Sequence, residues 1–413
     1  AGPGASWTNA VRPEAAVAFL AVRPSDKSNR CPRTSIVART STSSGTAGLW
    51  PSSRASIANT SASIVRVTAA AVRVRKHRFT TQWYAVRDAG ESPQTQQGAE
   101  GSAQGRRAVS HQPRCVANGA WGHGYSRRMA HLDALLSAPL IEVPATAGRL
   151  DAMGLDGLYT YEGNSDVFFP LARAADRTHG LLYSNVAIAL PRSPLHLAHQ
   201  AWDLQRLSGG RFALGLGSQI KAHIERRYGA TWDRPRAQMA EIVSAIRAIF
   251  DSWQHGTPLE FRGTWTEHTL MPPTLTPPPL DTAPPPIWTA ALGPRMTQMA
   301  GELADGLLVH PFTSREYLQA HTVPNLELGL AAGSRSRASV TVTVGAIVGL
   351  YGDADDADTR SSTLNTVRAT LGFYGSTPAY RPVLDQHGWG HLQPELRELT
   401  TSGRWGELGA RLG

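Results

Sequence analysis

Cysteine is almost missing from this 413-residue chain: there are two, Cys31 and Cys115, and both precede residue 129. The remaining residues therefore offer no disulfide and no thiolate metal site. That usage suits a reducing, cytoplasmic setting. Long apolar runs are missing too. None approaches the roughly 20 residues that span a bilayer. The longest stretch near the start, Ala15 to Val22, is short and flanked by arginines. No secretory signal peptide is recognisable, and no membrane partner is expected. There is no Gly-x-Ser-x-Gly elbow, which disfavours a serine hydrolase. His223 and Glu225 have no metal-ligand spacing, so no catalytic metal is expected.

Acidic residues are scarce in one region only. Residues 1–128 hold 18 Lys/Arg against five Asp/Glu, a charge of +13, whereas the rest of the chain carries −4. The overall +9 thus belongs to the N-terminal third. That third is rich in Ser, Thr, Ala, Arg and Gly, and its apolar residues follow no sustained period. The run Arg73-Val74-Arg75-Lys76-His77-Arg78 could serve a nucleic-acid arm, but interleaved aromatics are absent and no nucleic-acid partner is expected. A transit peptide would share the composition, yet no cleavage site stands out. The composition favours a disordered or non-native basic extension over residues 1–128.

From Met129 onward, strands and helices alternate. Strands are expected at Leu132–Leu140, Gly157–Tyr161, Gly180–Leu190, Arg211–Gly217, Pro286–Leu292, Gly306–His310 and Ser339–Tyr351. Helices are expected at Val143–Met153, Phe168–Ala175, Leu195–Leu207, Ile220–Tyr228, Arg236–Trp253, Pro294–Leu303, Arg315–Leu330 and from Asp355 to Phe373. Phe261 to Leu270 reads as a small hairpin. Eight prolines between Pro272 and Pro286 mark a long surface excursion. Seven βα units argue for a parallel sheet covered by helices. No Gly-x-Gly-x-x-Gly follows the first strand, which favours a TIM-type (β/α)8 barrel over a doubly wound sheet. Residues 129–413 form that α/β domain. Beyond Gly375 no eighth strand is visible, so the barrel is expected to be incomplete at its C-terminus.

Barrel enzymes place their chemistry at strand C-terminal ends. Glu162, ending the second strand, could orient a group or transfer a proton; it could equally make a salt bridge in the barrel mouth. Arg192, between prolines, could bind an anion or a loop carbonyl. Gly215-Leu216-Gly217 lets a flat ligand approach the backbone, although Ile220 takes the third glycine slot of a dinucleotide fingerprint. Gly293-Pro294-Arg295 opens a helix and is a candidate anion cradle.

The runs Pro191–Ala198 and Leu207–Gly217, Gly293-Pro294-Arg295-Met296, Ala304-Asp305-Gly306 and Phe373–Tyr380 resemble the bacterial luciferase-like monooxygenase family, in particular its deazaflavin-dependent oxidoreductases. The resemblance implies coenzyme F420, or alternatively FMN, at the C-terminal mouth. It implies a non-prolyl cis peptide within Val186 to Ala189, with Val186, Ala187 and Ile188 backing the ring. Gly217, Ser218 and Gln219 would flank the ring, and Gly293, Pro294 and Arg295 would approach the phosphate tail. The implied activity is hydride transfer between coenzyme F420 and a small-molecule substrate, in a homodimer. An FMN-dependent monooxygenase and an inactive truncated barrel are the alternatives. Two positions depart from the family: Gly163 stands where many relatives have histidine, and Gln219-Ile220 where some have glutamate.

Overall fold

The computed structural model describes residues 16–24, 130–350 and 357–412. In chain order the elements are β1 (Ala16–Pro24), β2 (Ala130–Leu135), α1 (Val143–Ala152), β3 (Gly157–Thr160), α2 (Phe169–Ala174), β4 (Leu181–Ser184), β5 (Ala187–Ile188), α3 (Pro194–Leu207), β6 (Phe212–Gly217), α4 (Lys221–Arg226), α5 (Pro235–His255), β7 (Phe261–Arg262), β8 (Glu267–His268), β9 (Ile287–Ala291), α6 (Pro294–Leu303), β10 (Gly306–Val309), α7 (Arg315–Tyr317), α8 (Val323–Ala332), β11 (Thr341–Leu350), α9 (Ala357–Gly375), α10 (Arg381–Asp385), α11 (Leu392–Thr401) and α12 (Leu408–Arg411). Among the described residues no helix is long and apolar enough to cross a membrane.

Strands β2, β3, β4, β6, β9, β10 and β11 pair in that order, all parallel. The gap between β11 and β2 is filled by β1, which runs antiparallel to both. The result is a closed eight-stranded barrel wrapped by helices. Two expectations are corrected here. The barrel is not open, and residues 1–128 are not wholly outside the fold, because Ala16–Pro24 supplies the eighth strand. Residues 1–15 and 25–128, also assigned to the disordered extension, lie outside the described residues, as does Met129.

The sequence of β1 explains its fit. Side chains alternate between strand faces. Phe19 and Ala21 join the barrel interior, while Leu20 packs against the helix-facing core. Ala21 sits opposite Gly345 on β11 and Asp133 on β2, so the register puts small residues where the neighbours are crowded. The next inward side chain, Arg23, meets Asp133. Its Nε lies 2.5 Å from Oδ2 and its Nη2 lies 2.9 Å from Oδ1. Asp133 is fully buried and also accepts from the Tyr183 hydroxyl at 3.1 Å. Burial and the neighbouring Asp133 carboxylate push the Tyr183 phenol far above its ordinary pKa.

Above this pair the interior is aromatic. The Tyr159 and Tyr183 rings are 5.2 Å apart, as are those of Tyr183 and Trp288. Outside the strands, α3 and α5 pack through Trp202, Phe250 and Trp253. Helix α3 ends where Gly209 and Gly210 adopt φ of 64° and 87°. That left-handed pair lets Gly210 N–H cap the Gln205 carbonyl at 2.8 Å. The proline-rich connector is strapped over these helices. Trp202 Nε1 and Arg206 donate to the Pro278 carbonyl, Gln205 to Ala283 and Gln254 to Leu280.

Several elements differ from their expected bounds. The first strand stops at Leu135 rather than Leu140, because the chain turns through Pro139 at the mouth. The third breaks into β4 and β5 around a cis peptide between Asn185 and Val186. The helix expected at Arg315–Leu330 holds a wide π turn at Leu318–Thr322 before α8. Pro324 has no N–H to give the usual i−4 bond, which favours that widening.

Candidate active site at the strand C-termini

The ends of β3, β5, β6 and β9 are neighbours, and they bring most of the expected site residues onto one arc of the mouth. The cis peptide precedes Val186, one bond earlier than the segment expected to hold it. Ala187 and Ile188 then pair with Leu216 and Gly217. All three expected backing residues thus lie against the end of β6.

Along β6 the inward positions are Ala213, Gly215 and Gly217. A Cβ on Gly215 would lie 1.8 Å from the Ser184 carbonyl, and one on Gly217 would lie 2.5 Å from Val186 Cγ2. Ser184 exploits the first approach: its Oγ donates to the Gly215 carbonyl at 2.8 Å and accepts from Gly215 N–H at 2.9 Å. The strands could not come this close with any side chain at 215. Gly215→Ala is expected to destabilise the fold by about 3 kcal/mol through overpacking against backbone. The check is the denaturant midpoint, which should fall while the m-value stays constant.

Ser218 and Gln219 follow. Gln219 takes a left-handed φ of 59°, which is uncommon for a residue with a side chain. Its side-chain Oε1 accepts from Ile220 N–H at 3.0 Å and secures the turn.

Glu162, placed after β3, reaches across to this wall. Its Oε2 accepts from Ile188 N–H at 2.8 Å and from Arg192 Nη1 at 2.5 Å. Its Oε1 accepts from the Tyr228 hydroxyl at 2.8 Å. The Glu162 and Arg192 side chains are only 8% and 19% exposed, so water competes weakly for these bonds. Arg192 also donates to the Ile188 carbonyl at 2.8 Å. Glu162 makes the salt bridge in the mouth that the sequence allowed, and Arg192 serves the Ile188 carbonyl and two carboxylates, those of Glu162 and, at 3.7 Å, Asp166. The Tyr228 phenol is pushed up, first by burial and then by its bond to Glu162. Tyr228 gave no sequence signal, since it lies beyond α4 and meets Glu162 only through the fold.

Gly293, Pro294 and Arg295 are exposed at the start of α6. Gly293 is the N-cap and Pro294 occupies the first turn. Pro294 removes an N–H that would have no helical partner, and the other first-turn amides point outward. Among the described residues Arg295 has no hydrogen-bond or ion-pair partner. This group sits one strand beyond the Gly217 wall, because β9 pairs with β6.

Two strands round the mouth from β6 stands a cluster that sequence reasoning missed. His310 follows β10, with Tyr374 and Tyr380 rings 4.8 and 4.6 Å from its own. Its Nδ1 accepts from Phe312 N–H at 3.1 Å. A histidine directly after an inward-alternating strand was the available signal.

The family model for luciferase-like monooxygenases matches residues 115–412 of the chain. An uncharacterized protein of Mycobacterium tuberculosis is 44% identical over 287 residues, covering 69% of this chain and 83% of that protein. A 5,10-methylenetetrahydromethanopterin reductase of Archaeoglobus fulgidus is 29% identical over 224 residues, covering 52% of this chain and 60% of the reductase. Among solved structures, the coenzyme F420 dependent tetrahydromethanopterin reductase from Methanopyrus kandleri matches with a TM-score of 0.52 at 19% identity. That match covers 67% of this chain and 81% of the reductase, and the two share the barrel fold. Strand β1 lies outside the residues matched by the family model.

Proposed function

Because the chain belongs to the luciferase-like monooxygenase family, we propose that it is an oxidoreductase that moves hydride between coenzyme F420 and an organic small molecule at the C-terminal mouth of the barrel. The observation that carries this reading is the juxtaposition of the β5 and β6 ends, Ala187-Ile188 paired with Leu216-Gly217, with an exposed helix start one strand away. A flat ring needs a wall without side chains, and an anionic tail needs helix N-terminal amides and a free cation. The strand ends at β5 and β6 and the start of α6 lie on adjacent strands, which supports a ring-and-tail cofactor at this mouth. When bound, the ring supplies hydride donation and acceptance.

The chain's own residues supply position. Val186, Ala187, Ile188 and Gly217 would back the ring. Ser218 and Gln219 would meet its edge, and Gly293, Pro294 and Arg295 would hold the phosphate-bearing tail. Glu162 would fix Ile188 and Arg192 rather than handle a proton, because both its oxygens are engaged. The name of the Archaeoglobus relative describes a reduction, which supports hydride transfer over oxygenation.

Titration of the purified chain with coenzyme F420 and with FMN tests the reading. Saturable F420 binding, weakened about tenfold by Arg295→Ala through loss of a charge-assisted contact, is the expected result. Tight binding of FMN alone would replace the cofactor and revive the monooxygenase reading. Binding of neither would leave a barrel without turnover.

A further inference from the structure

We propose that His310, with the hydroxyls of Tyr374 and Tyr380, forms an uncharged subsite for an oxygen acceptor on the substrate, with His310 as a fixed Nε2–H donor. This deepens the proposed function and rests on it, since it places the substrate two strands round the mouth from the β6 end assigned to the cofactor ring. Three independent elements build the cluster: His310 follows β10, Tyr374 lies on α9, and Tyr380 ends the short turn Pro378–Tyr380 before α10.

The tautomer follows from one hydrogen bond. Phe312 N–H points at Nδ1, so Nδ1 must be the unprotonated acceptor. In a neutral imidazole the hydrogen is then on Nε2. Among the described residues neither Nε2 nor the two phenol hydroxyls has a hydrogen-bond partner. The surroundings keep the ring neutral. The groups packed on it are the Tyr374 and Tyr380 rings, with Phe312 beside them, and none is charged. Burial holds His310 down to about 4 and pushes the Tyr374 phenol up to about 12. Both groups therefore stay uncharged through the physiological range. A neutral donor with two phenols suits a carbonyl or hydroxyl oxygen on an apolar body. It offers a carboxylate or phosphate no counter-charge.

The test uses the full chain with 15N-labelled histidine, alone and with coenzyme F420. Cyclohexanone is the uncharged probe and cyclohexanecarboxylate the anionic one. The expected results are an Nε2–H tautomer that does not titrate between pH 5 and 8, and a ketone-dependent shift of its Nε2 resonance. The carboxylate should cause no shift. His310→Phe keeps the stacked ring and should weaken ketone binding about tenfold, with F420 affinity within twofold of wild type. Tyr374→Phe and Tyr380→Phe, which keep their rings, should each weaken it severalfold and guard against a folding defect in the first variant. Titration of His310 near 6.5, equal binding of the carboxylate, or no ketone binding in the wild type each overturns the subsite. Absence of both F420 and FMN binding, with the ring result intact, overturns the cofactor reading instead.

Discussion

Arg23→Met is expected to lower stability by about 3–5 kcal/mol, because it leaves the Asp133 carboxylate buried without its cation. In a barrel of this size that is a fall of roughly 10 °C in thermal midpoint. The geometry sets the magnitude. Asp133 is wholly buried and Arg23 only 12% exposed, so solvent does not rescue the orphaned charge. The Tyr183 hydroxyl remains at 3.1 Å but is a single neutral donor. The paired variant Arg23→Met with Asp133→Leu should recover most of the loss, since both charges are then gone. A single variant as stable as wild type would mean that β1 does not hold the gap between β11 and β2 in solution. The single-variant loss should persist at high salt, because a buried pair is poorly screened.

This prediction concerns the element hardest to read in advance. The seven βα units were legible because parallel strands covered on both faces read as apolar runs, and Gly, Ser and Pro mark their ends. Strand β1 has the same local character at Ala15–Val22 but stands in a basic, Ser-rich segment. Its partner Asp133 is 110 residues away. Local patterning cannot anticipate so distant a pairing, nor an antiparallel strand closing a parallel barrel. The site divides in the same way. The placement of Gly217 and Val186–Ile188 at the strand ends of the mouth was legible from the apolar runs and the glycines that end them. A salt bridge of Glu162 was one of two readings the sequence allowed, but its partners were not legible, because Arg192 and Tyr228 reach it from two other loops. Nor was His310, whose tautomer depends on a backbone amide and whose neutrality depends on phenols from α9 and beyond.

Glu162 separates positioning from proton transfer, and two substitutions should diverge sharply. Glu162→Leu removes the acceptor of Ile188 N–H and of the Tyr228 hydroxyl and leaves Arg192 only the Ile188 carbonyl and the more distant Asp166 carboxylate at 3.7 Å. Removing one partner of a shielded ion pair is strongly destabilising, and the residual exposure of Arg192 and its remaining ion pair with Asp166 soften the cost to about 3 kcal/mol. Because Ile188 belongs to the wall expected to back the ring, cofactor affinity should fall at least tenfold in the same variant. Glu162→Gln keeps an acceptor for Ile188 N–H or Arg192 and offers an N–H to the Tyr228 oxygen. It should cost only about 1–2 kcal/mol, as a charged acceptor becomes a neutral one. Its F420 affinity should stay within about threefold, and hydride transfer, read from the F420 absorbance change, within about tenfold. A general acid or base contributes roughly 10²–10⁴-fold to rate. A glutamine variant that binds F420 normally yet loses that much turnover would therefore assign Glu162 a proton-handling role. Equal losses of binding and stability in both variants would instead mean that the charge itself holds the loop.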